Sequence, residues 1–285
     1  MTQNWRALLG SYGIWRSVTT VTPELAAKIE GLGYGALWLG GSPQADLKIV
    51  DKLLAATNEL VVATGIVNMW QSDAHEVAAS FKRIEATHPG RFLLGVGVGH
   101  LEATKEYASP YQTSVDYINA LAADGVPASS LVLAALGPKM LRLAAERTAG
   151  AHPYLVTPQY VVRAREIMGA GPLLAVEHKV VIESDREVAR TIGRPRVHRP
   201  YLGLRNYLSN LRRLGWTDDD LADGGSDALI DALVAHGDAG DVARQLGGFL
   251  AAGADHVCVQ LVTDSPDEDP VPGYRALADV LEFDQ

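Results

Sequence analysis

Short apolar runs alternate with amphipathic stretches along the whole chain. The runs are "RALLGSYGIW" (6–15), "GALWLGG" (35–41), "LVVATGIVN" (60–68), "RFLLGVGVG" (91–99), "SLVLAALG" (130–137), "AHPYLV" (151–156), "PLLAVEHKVVIE" (172–183) and "ADHVCVQLV" (254–262). Most are continuously apolar, as expected of parallel strands covered on both faces. Between them lie segments with helix punctuation. In "TPELAAKIEGLG" (22–33), Thr22 can cap, Pro23 suits the first helical position, and Gly31 or Gly33 closes the end. Segments 72–90, 137–150 and 238–254 repeat that grammar. Eight strand–helix units in 285 residues predict an α/β chain folded as a single (β/α)8 TIM barrel over 1–285, not an open doubly wound sheet.

One stretch breaks the rhythm. Residues 184–237 separate the seventh and eighth runs by more than a βα unit needs, and they predict a helical segment inserted after the seventh strand. Leu202, Leu208, Leu211 and Leu214 fall near helical spacing, while Arg194, Arg196, Arg199, Arg205, Arg212 and Arg213 make the segment locally basic. Two readings stay open: a solvated helical face packed on the barrel, or a lid and landing site for an anionic ligand.

Composition narrows the partners. The chain is 47% hydrophobic and 21% charged with a formal net charge of −9, a balance that argues against nucleic acid as a partner. No window approaches the roughly 20 apolar residues of a membrane span, and "MTQNWRALLG" lacks a basic segment leading into a long apolar one, so the expectation is a cytoplasmic protein. The single cysteine, Cys258, lies inside an apolar run and reads as core.

In such a barrel the chemistry belongs at the C-terminal ends of the strands. The run ending in "GVGVGHLE" brings Gly97 and Gly99, whose missing side chains would let a flat or phosphorylated group approach the backbone, followed by His100 and Glu102. His100 can act as an acid or base, or it can be a loop residue with a satisfied hydrogen bond. The other expected ends give Ser11, Tyr12 and Trp15; Gly40, Gly41 and Ser42; and Thr64, Gly65, Asn68 and Trp70. The fifth ends in "AALGPKML", where Gly137 and Pro138 lead into a helix whose free N–H groups would suit phosphate, with Lys139 and Met140 beside them. No metal-ligand cluster stands at these ends, and lysine is expected outside the strands, which disfavours a Schiff-base aldolase.

The segments "SLVLAALGPKMLRLAAERTAGAHPYLVTPQ" (130–159), "GRFLLGVGVGH" (90–100), "ATGIVN" (63–68) and "AAGADHVCVQL" (251–261), taken in order, resemble the bacterial luciferase-like superfamily and, within it, the coenzyme F420-dependent oxidoreductases. The resemblance implies a barrel with an insertion after the seventh strand, a deazaflavin in its mouth, and hydride transfer to or from a small organic substrate. It also implies a non-proline cis peptide at Gly65–Ile66 behind the ring, contacts from Gly97, Gly99 and His100, and a cofactor-receiving turn at Ala135, Leu136, Gly137, Pro138 and Lys139. Relatives commonly carry an acidic residue or histidine after the second strand where this chain has "LGGSP", so His100, with Glu102 behind it, becomes the expected proton-handling group. Trp15, Trp38 and Trp70 compete for the ring-stacking wall. A reduced-FMN monooxygenase and a non-catalytic flavin-binding relative are the alternatives, and a homodimer is expected.

Overall fold

The computed structural model describes residues 3–99, 109–265 and 267–283. Its strands are β1 (Tyr12–Ser17), β2 (Ala36–Gly40), β3 (Val61–Thr64), β4 (Val67–Asn68), β5 (Phe92–Gly97), β6 (Leu131–Leu133), β7 (Gly150–Ala151), β8 (Leu173–Ile182), β9 (Val234–Gly237) and β10 (His256–Leu261). All pair in parallel. The ladder runs from β1 through β2, β3, β5, β6, β7 and β8 to β10, which returns to β1 through Tyr12↔Val257 and Ile14↔Val259. This closes the eight-stranded barrel that the apolar runs predict.

Two apolar compartments follow from the alternation of side chains along each strand. Outward residues such as Ile14, Leu37, Val62, Leu94 and Val176 pack against the surrounding helices. Inward residues Ala36, Trp38, Ala63, Leu93, Val132, Ala175 and Cys258 fill the barrel axis, with Trp5 and Leu9 packed against them. Cys258 is buried there, its thiol directed at the Val176 carbonyl, so the core reading of this residue stands.

Helix boundaries follow their caps. Thr22 accepts from the Leu25 N–H at the start of Pro23–Gly31, Asp73 caps Ala74–Thr87, and Asp238 closes a capping box on Ala239–Ala251. Among the described residues no helix is long and apolar enough to cross a membrane.

Three expectations need correction. The run 6–15 is not one strand: Trp5–Leu9 is a helix and β1 begins only at Tyr12. Ser11 therefore lies at the N-terminal end of β1, where its carbonyl accepts from the Val257 N–H at 2.9 Å, and it is far from the strand's C-terminal end at Ser17. The run 151–156 contributes only Ala151 to a ladder, because His152 and the residues after it leave the sheet.

The chain past β7 nonetheless stays beside β8, the Pro153 carbonyl accepting from the Glu177 N–H at 3.1 Å. On one side β8 meets β7 at Leu173 and Leu174 and then β9 at Lys179 to Ile182. The inserted segment 184–237 is thus helical over most of its length but ends in a strand that continues the sheet. Its helices Arg186–His198, Arg205–Arg213 and Asp227–Leu233 share a core of Val197, Leu202, Leu211, Leu229 and Ile230. Arg190 fastens the first to the third through Asp231 at 2.6 Å.

Candidate active site

A cavity of about 700 Å³ opens at the C-terminal ends of the strands. Its floor is made where the third strand breaks. β3 stops at Thr64, the Gly65–Ile66 peptide is cis, and pairing resumes at Val67↔Val96 in β4. The cis bond is where the family resemblance places it. Asn68 then fixes the following turn, its side-chain oxygen accepting from the Trp70 N–H at 2.9 Å.

On one side the cavity meets Ala135, Leu136 and Gly137 and the start of the helix Pro138–Arg147. Gly137 caps that helix without a side-chain hydrogen bond, and a β-carbon placed on it would meet nothing within 4 Å. This 10-residue helix therefore starts at a residue that lines the cavity and has open space where a side chain would stand. The aromatic residues Trp15, Trp70, Tyr154, Tyr201 and Tyr207 also line the cavity, with Arg205, Asn206 and Ser209 from the insert. Trp15 lies 5.6 Å from Tyr154, Tyr154 5.1 Å from Tyr201, and Tyr201 5.0 Å from Tyr207, ring centre to ring centre.

A charged pair is buried behind this aromatic wall. Lys179 Nζ contacts Glu177 Oε1 at 3.2 Å and sits 3.9 Å over the Tyr154 ring. Glu177 in turn accepts from the Leu155 N–H at 3.2 Å. Burial raises the Glu177 carboxyl and lowers the Lys179 ammonium from their ordinary values, with each charge opposing the other's shift. The lysine expected to be absent from the strands is therefore here, inside β8. Its partner and its aromatic cover leave it no approach to a carbonyl substrate, so the case against a Schiff-base aldolase rests on burial and not on absence.

Two histidines adjoin Trp38 inside the barrel, and of these His152 lines the cavity. His256 accepts from the Trp38 indole N–H at 3.0 Å and engages the Gly10 carbonyl through Nδ1 at 2.7 Å. His152 stacks on Trp38 at 4.2 Å and engages the Ala175 carbonyl through Nδ1 at 2.9 Å. Burial pushes both imidazoles down to about 4, against the opposing effect of their backbone hydrogen bonds.

Of the residues expected at the site, Gly65, Ile66, Asn68, Gly99, Ala135, Leu136, Gly137 and Met140 line this cavity. Several others act from behind it. Thr64 is buried and clips β3 to β5, donating to the Gly95 carbonyl at 2.7 Å and accepting from its N–H at 2.8 Å. Gly97 leaves room for Ala134 and Ile66, the nearest atoms to a β-carbon placed on it. Gly40 does the same for Trp15. Pro138 opens the helix, and Lys139 turns away to lie 3.9 Å over the Tyr111 ring. Ser11, at the opposite end of its strand, is no part of the site. Among the tryptophans, Trp15 and Trp70 reach the cavity while Trp38 is wholly buried inside the barrel. His100 and Glu102 lie outside the described residues.

Sequence reasoning missed His152, Tyr154, Tyr201 and Tyr207, and with them the Glu177–Lys179 pair. A signal existed for the pair. The triplet Glu177-His178-Lys179 interrupts an otherwise apolar strand, and a polar residue at an inward position of a buried strand demands a partner.

No protein-family model matches the chain, and no curated protein matches it. Solved structures do. A coenzyme F420-dependent tetrahydromethanopterin reductase from Methanopyrus kandleri aligns over 95% of this chain and 98% of its own, with TM-score 0.73 and 16% identity. An F420-dependent secondary alcohol dehydrogenase in complex with an F420–acetone adduct aligns over the same shares of the two chains, with TM-score 0.71 and 16% identity. The oxygenating constituent of 3,6-diketocamphane monooxygenase from Pseudomonas putida, in complex with FMN, aligns over 94% of this chain and 96% of its own, with TM-score 0.63 and 15% identity. The chain shares the fold of these F420-dependent and flavin-dependent enzymes.

Proposed function

We propose that this chain is an oxidoreductase of the luciferase-like type that transfers a hydride between coenzyme F420 and a small organic substrate held in the cavity. The observation that carries the proposal is the cavity's shape. A floor broken at Gly65–Ile66 stands beside an uncapped helix start at Gly137, in a space of about 700 Å³. That volume falls in the range that takes a drug-sized ligand.

The residues fit a tricyclic ring with a phosphate tail. Gly65 and Ile66 would back the ring, and Asn68 and Gly99 would flank it. Ala135, Leu136 and Gly137 would lead its tail to the N–H groups at the start of Pro138–Arg147, where the helix dipole favours an anion. When bound, the deazaflavin supplies the carbon that accepts or donates the hydride. The chain's own task is placement. The wall of Trp15, Trp70, Tyr154 and Tyr201 keeps water from the ring face and holds the substrate against it. Among the described residues no carboxylate lines the cavity. His100, which follows the cavity residue Gly99 in sequence, keeps the role proposed for it, with Glu102 behind.

The fold is shared with an FMN-bound enzyme, so the decisive experiment is a titration of the purified protein with F420 and, separately, with FMN, followed by fluorescence. The expected outcome is saturable binding of F420 at least about tenfold tighter than FMN. Tight FMN binding without F420 binding would replace the proposal with a reduced-FMN monooxygenase. Tight F420 binding with no hydride exchange toward alcohols, enones or sugar phosphates would leave only a binding protein.

A further inference from the structure

Lys179 is a buried ion that a single carboxylate does not satisfy. An ammonium carries three donors, and among the described residues its Nζ has one hydrogen-bond acceptor, Glu177 Oε1 at 3.2 Å. Ring faces stand in for the rest: Nζ lies 3.9 Å from the centre of the Tyr154 ring and 5.1 Å from that of Tyr201. The face of a phenol ring is its electronegative part, and it attracts a desolvated cation more strongly than a hydrated one.

The two rings come from different parts of the molecule. Tyr154 follows β7, whereas Tyr201 opens the short turn Tyr201–Gly203 of the insert. Both line the cavity and Lys179 does not. One charge on β8 therefore faces two separate pieces of the cavity wall.

Glu177 completes the joint. It stands two residues before Lys179, on the same face of β8, and its second oxygen accepts from the Leu155 N–H at 3.2 Å. Leu155 has φ 56°, in the left-handed region that a residue with a side chain enters only at a cost. Its side chain joins the core of the insert, while its neighbour Tyr154 lines the cavity and donates its hydroxyl to Gln260 Oε1 at 2.8 Å. The carboxylate thus holds the strained turn, and the ammonium meets the ring that the turn carries.

A buried ion pair is a poor source of stability, since apolar side chains of the same volume often serve as well or better. What it adds is direction. An apolar side chain packs against any apolar surface, but a cation draws ring faces toward one point.

We propose that Glu177 and Lys179 are positioning residues of the cavity: the carboxylate sets the turn that carries Tyr154, and the ammonium holds the Tyr154 and Tyr201 rings together as one binding wall across the junction of barrel and insert. Neither residue touches the ligand. The effect on ligand binding rests on the reading of the cavity as the cofactor and substrate site; the order of the wall does not.

The test uses the full chain carrying fluorotyrosine, with the ¹⁹F signals assigned through Tyr154→Phe and Tyr201→Phe, measured without ligand and then titrated with F420. Glu177→Gln combined with Lys179→Met removes both charges and keeps the volumes, so the melting temperature should stay within about 5 °C of the unmutated protein. The Tyr154 and Tyr201 signals should nonetheless move toward that of free fluorotyrosine, and F420 affinity should fall about tenfold or more. Lys179→Arg keeps a cation that stacks on rings and should hold affinity within about threefold. Unchanged tyrosine signals or unchanged affinity in the double variant overturn the proposal. So does an equal loss of affinity in Lys179→Arg, which would assign the effect to volume and not to charge. If the double variant does not fold, ¹³C-lysine labelling of the unmutated protein decides. The Lys179 ε-methylene signal should lie upfield of the other lysines and move when F420 binds; an ordinary position, or indifference to bound F420, overturns the proposal. Failure of F420 to bind the unmutated protein would sink the redox assignment, with the ligand-free tyrosine signals still judging the pair. F420 binding with undisturbed tyrosines in the double variant would do the reverse.

Discussion

Gly40 seats a side chain and is not among the residues that line the cavity. It ends β2 opposite Ser17, and a β-carbon there would stand 1.8 Å from Trp15 Cζ2, a distance no real pair of atoms sustains. The bare backbone at this strand end therefore belongs to the indole that forms part of the cavity wall. Replacing Gly40 with alanine should force Trp15 off that wall and cost about 1–3 kcal/mol of stability, the usual range for overpacking a filled site. Ligand affinity should fall with it. Thermal unfolding, tryptophan fluorescence and a cofactor titration of Gly40→Ala measure the two effects together, and a variant with unchanged melting and affinity would refute the seating role. The same distinction separates Thr64 from Gly65. Both stand at the expected strand end, yet the Thr64 hydroxyl is consumed by the Gly95 backbone while Gly65 opens on the cavity. Residue type and position nominated both; only the direction of each side chain, set by the strand's exact start, divides them.

The helix Pro138–Arg147 offers a sharper separation of fold from function. Gly137 has φ −82° and ψ 155°, an extended conformation that β-branched residues adopt readily, and the space before its missing side chain is open. Gly137→Val should thus change stability by no more than about 0.5 kcal/mol. A bound phosphate needs that same space, so cofactor affinity should drop tenfold or more. A denaturant melt beside a binding titration checks the pair of outcomes, and unimpaired binding would move the tail elsewhere. This element was legible in advance because glycine, proline and a periodic apolar face all signal one boundary. The elements misread are those in which a local signal is weak or divided. Ala7 to Leu9 are as apolar as a strand, yet they belong to a short helix, Trp5–Leu9, whose Trp5 and Leu9 pack against the inward core residues. β7 has two residues and β9 four, too few for any periodicity to register.

At the scale of the whole molecule, eight continuous apolar runs sufficed to announce a barrel, since a closed parallel sheet buries both faces of every strand. The site was harder to read because its wall is assembled from distant pieces. Tyr154 leaves the sheet after β7, Tyr201 and Tyr207 come from the insert, and Lys179 supports them from the middle of β8. The same assembly stores three neutral imidazoles. His152 and His256 stand within the barrel at about 4, and His178, packed 4.4 Å from Phe249 on the outer face, is pushed to about 3 by burial and then by the Lys179 charge. In the unfolded chain each would titrate near 6.5. Between these values the unfolded state binds more protons than the native state, so stability rises with pH across the window. The contribution is fully present above pH ~6.5 and is lost as pH falls toward the folded values. Each histidine adds a slope approaching about 1.4 kcal/mol per pH unit, and three together approach about 4. Urea unfolding measured from pH 7 to pH 5 should show this steep loss, and His178→Phe, which removes one group without entering the cavity, should lower the slope by about a third. A flat profile, or the same slope in the variant, would mean that the barrel accepts the imidazolium form.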